Sequence, residues 1–285
     1  MKFKHKIKEK LKGVLNEEKL SLLPRGFQTL GSIIIIKLNP LLLAKKKIIA
    51  EGYLDLLPKI RGVYLNSGKI VGPFRKPEAM EFLSGEDDPI VTHKENNVIY
   101  RFDINKIMFS KGNLNERRYL PTLVKPGEII VDMFAGIGYF SLQIAKNSQV
   151  EKIYCIEFNP EAYRFLLENI KLNHLEEIIL PIHGNCKEEV LQLSTSGIRA
   201  DRIIMGIFPA PFPYVQVALA VSKIKGSVIH FEGVVEKDAY YSLFEDFKKI
   251  AEQEGYKSEL KSYRFVKSYG PNLFHTVLDI NVEKN

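Results

Sequence analysis

Cysteine is scarce: Cys155 and Cys186 are the two in 285 residues. So few thiols exclude a disulfide-stapled scaffold, and neither sits at metal-ligand spacing. Two free thiols suit a reducing compartment, and the cytoplasm is the expected location. Long apolar runs are missing too. The strongest, around Ile33–Ile36 and Leu41–Ala44, are broken by Lys37, Pro40 and Lys45-Lys46-Lys47, far short of the ~20 residues that span a bilayer. No membrane partner is expected. The opening Met1-Lys-Phe-Lys-His-Lys runs into Glu9, Lys10 and Lys12 instead of an apolar stretch with a small-residue cleavage site, so it does not read as a secretory signal. Internal repeats and low-complexity tracts are absent. What remains is 45% hydrophobic and 26% charged, enough to bury the core of one large or two modest domains.

Charge is unevenly placed. The net charge is +7, but residues 1–120 hold 23 Lys and Arg against 13 Asp and Glu, a surplus of +10, which leaves −3 for residues 121–285. A basic front on a mildly acidic remainder fits either a phosphate-rich partner gripped by one part of the chain or a solvated basic face. Breaks at Asn39-Pro40, Gly72-Pro73 and Lys125-Pro126-Gly127 are the expected joints.

The first part reads as a small α+β module. Residues 1–22 and 43–57 carry a helical pattern, and strands are expected at Ser32–Leu38, Gly62–Leu65, Lys69–Val71 and Val98–Asp103. From Pro126 the rhythm changes to strand, glycine turn, helix. Strands at Ile129–Met133, Lys152–Glu157 and Ile178–His183 alternate with helices at Gly136–Lys146 and Pro160–Leu172. Arg202–Met205, Pro213–Ile224, Ser227–Phe231, Lys237–Glu254 and Phe274–Val282 continue the alternation, which is that of a doubly wound, Rossmann-like α/β domain with a parallel sheet. The expected division is 1–120 and 121–285.

Val131-Asp-Met-Phe-Ala-Gly-Ile-Gly-Tyr-Phe-Ser141 runs an apolar strand into a Gly-x-Gly turn, where backbone can approach a ligand. A dinucleotide fingerprint wants a third glycine where Ser141 stands. Glu157 ends the next strand, where a carboxylate can accept both ribose hydroxyls of an adenosine, as nicotinamide and adenosylmethionine sites both require. Asp132 favours adenosylmethionine, because an acidic neighbour attracts a sulfonium and repels a pyrophosphate. Asn185, in His183-Gly-Asn-Cys186, can offer a donor and an acceptor to an adenine edge. A glycine loop used only for packing is the plain alternative.

Phe109-Ser-Lys-Gly-Asn-Leu-Asn-Glu-Arg117, Val131–Gly138, Ile156-Glu-Phe-Asn-Pro160, Gly184-Asn-Cys186 and Asp201-Arg-Ile-Ile-Met-Gly-Ile-Phe-Pro209 together resemble one adenosylmethionine-dependent tRNA family. It contains the tRNA guanine-N1 methyltransferases that act beside the anticodon and the wybutosine-pathway aminocarboxypropyl transferases. The resemblance implies a methyltransferase-type sheet, S-adenosyl-L-methionine as cofactor and tRNA as partner, with 1–120 the tRNA-binding region and 121–285 the catalytic domain. The methyltransferase branch carries an Asn-Pro-Pro or Asn-Leu-Pro element after the fourth strand. Here the run is Met205-Gly-Ile-Phe-Pro209, and Gly206 has no side chain to hold a guanine edge. With Ser110-Lys-Gly-Asn113, that resembles the aminocarboxypropyl branch, which implies transfer to 4-demethylwyosine beside the anticodon of phenylalanine tRNA with release of methylthioadenosine. A tRNA guanine-N1 methyltransferase and a non-catalytic tRNA-binding protein are the alternatives.

The same resemblance supplies roles. Ser110 and Arg117 would hold the methionine tail, and Asp132, Phe134, Gly136, Gly138, Glu157, Asn159, Asn185, Cys186 and Gly206 would line the cofactor site. Glu116 stands where the methyltransferase branch places its general base; it can instead accept from the cofactor's ammonium or be an exposed carboxylate at a helix start. Arg75, in Gly72-Pro-Phe-Arg-Lys-Pro77, matches a position near the target base and is a catalytic candidate, against an ordinary surface arginine. His93, Lys94, Phe208, Pro209 and Lys267 are the remaining tRNA contacts, with His93 read alternatively as a hydrogen-bonded turn residue before a strand. Tyr263-Arg-Phe-Val-Lys-Ser-Tyr-Gly-Pro271 fits RNA stacking and phosphate contact or a packed strand edge with solvated cations. No second histidine lies at ligand spacing from His93, so no metal is expected.

Overall fold

The computed structural model describes residues 3–72 and 74–285. Residues 1 and 2 of the expected first helix and Pro73 of the expected joint lie outside them. The chain divides into two compact units. One runs to Glu95 and takes Ile99–Phe109; the other takes Asn96–Val98 and Ser110–Asn285. Residues 110–120, grouped by sequence with the basic front, therefore belong to the second unit.

In the first unit a four-stranded sheet is ordered Gln28–Leu30, Ile33–Ile36, Gly62–Asn66, Met80–Gly85, with the middle pair parallel and both outer pairs antiparallel. Ile33 to Ile36 are all buried. On it pack helices Phe3–Leu11 and Lys46–Leu56, which bury Ile7 and Leu11, and Ile49, Ala50 and Tyr53, at the i, i+3, i+4 spacing of one helical face. Gly52 sets how close the two helices come: a Cβ there would lie 3.1 Å from Ile7 Cδ1 and 3.3 Å from Leu11 Cδ2. Hairpin Ile70–Val71 with Lys76–Pro77 belongs to the same unit, as do strand Ile90–Glu95 and, from Ile99 on, its partner strand Val98–Asp103.

The second unit carries a seven-stranded sheet. Its strands are β1 (Ile129–Asp132), β2 (Lys152–Glu157), β3 (Ile179–His183), β4 (Arg202–Met205), β5 (Ser227–Glu236), β6 (Tyr256–Gly270) and β7 (Leu273–Lys284). The order is β3-β2-β1-β4-β5-β7-β6. The first five are parallel; β7 is antiparallel to β5 and β6, so the parallel alternation does not continue to the chain end. Helices α1 (Leu114–Tyr119), α2 (Ser141–Asn147), α3 (Pro160–Asn173), α4 (Cys186–Thr195), α5 (Val215–Val221) and α6 (Tyr240–Gln253) make the covering layers.

The β5–β7 ladder has two unlike faces, because directly opposite residues and residues two apart share a side. Ile229, Phe231, Leu278 and Ile280 join a core with Ala218, Leu219 and Phe247 from α5 and α6. The other face opposes His230 to Asp279 and Val234 to His275, with Glu232 between them. On β6 a register shift between Phe265 and Lys267 sets Lys267 against His275, three residues after Arg264 pairs with Val277. Without the extra residue Lys267 would turn to the opposite side.

Candidate active site

The glycine turn forms because two of its residues take backbone angles closed to most side chains. Gly136 has φ +58° and Gly138 φ +93°. A Cβ on Gly138 would lie 2.7 Å from Leu142 Cδ1 and 3.1 Å from Leu166 Cδ1, and one on Gly136 would lie 2.6 Å from the Tyr139 ring. These angles postpone α2 to Ser141, five residues after the sequence expectation. Beneath the turn Asp132, 1% exposed, accepts from the Phe134 N–H at 3.3 Å and from the Ser141 hydroxyl. Sequence reasoning set Asp132 toward a sulfonium and read Ser141 as a missing glycine; the structure makes them each other's partner, bracing the loop.

Burial pushes the Asp132 carboxyl up to about 6 from 3.8, against bonds from Ser141 and Phe134 that favour its charge. A raised carboxylate binds its proton more tightly when folded, so its contribution to stability is complete below about 3.8 and is lost as pH rises through about 6. The size is about 3 kcal/mol. Urea unfolding of wild type and Asp132→Asn between about pH 4 and about pH 8 is expected to show the variant gaining on wild type by that order across the window. A pH-independent difference rules this out.

Glu157, at the end of β2, accepts from Gly136 N–H through Oε2 and from Asn159 N–H through Oε1, both at 2.7 Å. Burial raises its pKa while these bonds oppose the rise. The Phe158 N–H is a third backbone donor to it, and since a carboxylate offers about four lone-pair directions, capacity for a ribose hydroxyl is left. Asn159 caps α3 by accepting from Glu161 N–H at 3.0 Å, and Asn185 caps α4 by accepting from Lys187 N–H at 2.9 Å. Each side-chain carbonyl oxygen thus spends one lone pair on its helix start, and Asn185 keeps the other together with its amide donor. Phe134 meets Tyr214 edge-on at 5.0 Å, and Cys186 is buried, its thiol pushed up by desolvation.

Across the sheet, Ser110, Glu116, Arg117 and Lys267 come together. Arg117, 1% exposed, donates to the Ser110 carbonyl at 2.9 Å, and Lys267 Nζ donates to the Ser110 hydroxyl at 2.8 Å. Glu116 is buried rather than exposed at a helix start. Arg264 donates to its Oε1 at 2.7 Å and its Oε2 at 3.1 Å, and donates to Asp279 Oδ2 at 2.5 Å. His230 Nδ1 pairs with Asp279 Oδ1 at 3.0 Å and His275 Nε2 with Glu232 Oε2 at 3.0 Å. Sequence reasoning missed His230, Glu232, His275 and Asp279. The signal was His-x-Glu within an apolar strand.

Gly206 and the Phe208–Pro209 cis peptide follow β4. A Cβ on Gly206 would lie 3.3 Å from Phe140 Cε2 and 3.6 Å from Glu232 Cδ, and Phe208 meets the His275 ring edge-on at 4.7 Å. Tyr263 stacks on Tyr240 at 3.7 Å and is 43% exposed, on β6, the edge strand of the sheet. Arg75, His93 and Lys94 belong to the first unit. Arg75 sits in a hairpin turn at φ +50°. His93 lies inside strand Ile90–Glu95, not before it, and accepts from Gly31 N–H at 3.3 Å while packing edge-on against Phe109. Lys94 is exposed. No described helix is long and apolar enough to cross a membrane.

The family described as TRM5/TYW2 methyltransferase domain matches residues 91–259, and the TYW2 N-terminal domain matches residues 7–88. The chain is 37% identical, over 99% of its length and 98% of the relative's, to a tRNA(Phe) (4-demethylwyosine(37)-C(7)) aminocarboxypropyltransferase of Pyrococcus horikoshii. It is 30% identical, over 91% of its length and 76% of the relative's, to the tRNA (guanine(37)-N(1))-methyltransferase Trm5b of Pyrococcus abyssi. The solved structure of P. horikoshii TYW2 in complex with MeSAdo matches with a TM-score of 0.84 and 33% identity, covering 99% of this chain and all of that one. A seven-stranded sheet with a glycine turn, a ribose-competent carboxylate and both matched segments in order place this chain in the TRM5/TYW2 family.

Proposed function

We propose that this protein transfers the 3-amino-3-carboxypropyl group of S-adenosyl-L-methionine to 4-demethylwyosine at position 37 of phenylalanine tRNA, releasing methylthioadenosine, in the cytoplasm. One observation carries the reading: likeness to an aminocarboxypropyltransferase runs the whole length of both chains. The side-chain-free Gly206 agrees with it, where a ring-nitrogen methyltransferase is expected to carry asparagine.

The residues present fit the cofactor. Gly136 and Gly138 leave a cradle that a Cβ would fill, and Glu157 keeps acceptor capacity facing the turn. When bound, S-adenosyl-L-methionine supplies a sulfonium that makes its attached carbons electrophilic. The chain's task is to choose which carbon is presented, a matter of orientation. Glu157 takes the ribose hydroxyls, the Asn185 amide reaches the adenine edge, Phe134 and Cys186 form apolar wall, and Asp132 and Asn159 hold the turn and the α3 start. Ser110 and Arg117, bonded to each other, hold the amino-acid tail. Glu116 orients rather than removes a proton, since Arg264 engages both its oxygens. In the first unit Arg75, His93 and Lys94, and in the second Phe208, Pro209 and Lys267, are the residues assigned to tRNA, its anticodon loop above all; no metal takes part in this scheme.

The test uses tRNA bearing 4-demethylwyosine and adenosylmethionine labelled separately in the methyl and the carboxyl group. Carboxyl label is expected on the RNA with methylthioadenosine released. Methyl label on the RNA overturns the reading in favour of methyl transfer.

A further inference from the structure

The buried polar face of β5 and β7 holds more titratable groups than the proposed reaction has used. His230 and His275 are 0% exposed, Glu232 1% and Asp279 4%. Most of their hydrogen-bonding capacity is met inside the cluster. Glu116 has both oxygens on Arg264, while Asp279 has Oδ1 on His230 and Oδ2 on Arg264 and Ser262. Glu232 differs. Its Oε2 pairs with His275 Nε2, which fixes the plane of the carboxylate, but Oε1 is buried without a hydrogen-bond partner among the described residues. His230 Nε2 stands 3.8 Å from it and likewise has no hydrogen-bond partner among the described residues. A buried carboxylate oxygen left without a donor is costly, and such atoms in a folded protein call for an explanation in ligand binding or catalysis.

Where that oxygen points is fixed by Gly206. A Cβ built there would lie 3.7 Å from Glu232 Oε1, so the oxygen faces the turn at the carboxyl end of β4, where open α/β sheets bind their ligands. A side chain longer than a methyl group at 206 would cover it. The glycine thus does two things at once: it withdraws a group that would grip a guanine edge, and it uncovers a carboxylate.

We infer that Glu232 is a catalytic residue, the base that takes the proton from the acceptor carbon of the RNA base. The inference rests on the aminocarboxypropyl transfer proposed above. In that step a bond forms between the acceptor ring carbon and the γ-methylene of the transferred group. The bond from that methylene to sulfur breaks, and its electron pair stays on sulfur in neutral methylthioadenosine. The hydrogen on the acceptor carbon leaves as a proton and goes to Glu232 Oε1, restoring the aromatic ring. Among the described carboxylates of this cluster, Glu232 is the one with an oxygen not already bonded and with no arginine or lysine on it. The groups that face it are His230, His275, the buried Asp132 carboxyl on β1 and, beyond His230, Glu116 with its Arg264.

The test is Glu232→Gln, which keeps shape and removes the base. Single-turnover transfer of carboxyl label to tRNA is expected to fall by about 100-fold or more, while adenosylmethionine and tRNA affinities, by calorimetry and filter binding, stay within about threefold of wild type. A variant rate within about fivefold of wild type overturns the assignment, as does a fall explained by lost cofactor affinity. If the glutamine variant does not fold, Glu232→Asp serves: shortened reach should slow transfer by at least about tenfold at unchanged affinities, and a wild-type rate overturns the assignment. Wild-type enzyme in the same assay separates the two claims, since absence of carboxyl label with wild type defeats the transfer itself, whereas label with both proteins defeats only the role of Glu232.

Discussion

Replacing Arg264 by methionine is expected to cost the fold about 3–5 kcal/mol, because it strands two buried carboxylates on one side of the sheet. Glu116 is 3% exposed and Asp279 4%, and the guanidinium donates to both while lying 4.9 Å over the Tyr119 ring. Methionine preserves the apolar stem, so the loss reports the charge rather than the packing. Burial works against the charge on Asp279, yet bonds from His230 and Arg264 hold its pKa well below the ordinary carboxylate range. A depressed carboxylate stabilises the fold above its unfolded value and loses that contribution as pH falls through the folded value. The methionine variant should therefore lose stability throughout the neutral range and show a weaker additional loss in acid than wild type. Urea denaturation measures both. Adding Glu116→Gln to Arg264→Met should restore a substantial part of the loss, since one of the two stranded charges is then gone. A cost below about 1 kcal/mol would mean that the pair behaves as an exposed surface bridge.

This cluster also marks the limit of what the sequence conveys. The parallel core was readable: Ile129–Asp132, Lys152–Glu157 and Arg202–Met205 are short apolar runs bounded by turn signals, and Asn159-Pro160 starts α3 as a cap and first-turn proline should. The glycine turn was readable as chemistry but not as geometry, because positive φ at Gly136 and Gly138 delays the helix by a turn. Of strand β6 only the part from Tyr263 was read, as a strand edge or an RNA contact, since Tyr256–Gly270 mixes lysine, serine and aromatics and carries three register shifts that break a period of two. Glu116 was open to three readings because a carboxylate in the first turn of a helix is ordinarily solvated, and only the arrival of Arg264 from 148 residues away buries it. Polar residues on a strand imply a wet face by default. On β5 and β7 they line a buried one, and no local pattern distinguishes the two.

Substituting glutamine for Glu157 is expected to weaken adenosylmethionine binding by about 100-fold with little loss of fold. Each carboxylate oxygen already accepts a backbone N–H, from Gly136 on one and Asn159 on the other, at 2.7 Å each, with the Phe158 N–H as a further donor. A carboxamide has a single acceptor oxygen, so it can satisfy only one of them and must turn its NH2 toward the other or toward the ligand. Either choice disturbs the Gly136 end of the turn or replaces an acceptor by a donor where a ribose hydroxyl is to be received. Hydrogen bonds to a charged partner contribute about 1.5–3 kcal/mol each, and about 1.4 kcal/mol is a factor of ten in affinity, so losing one to two of them gives the expected size. The fold should be spared, because burial already raises the pKa of Glu157 and so disfavours its charge, which offsets what the glutamine loses in backbone bonding. Calorimetric titration with adenosylmethionine, beside a thermal melt of the ligand-free protein, separates the two effects. An unchanged affinity would remove Glu157 from the ribose and leave it as a brace for the turn, the role its backbone bonds already give it.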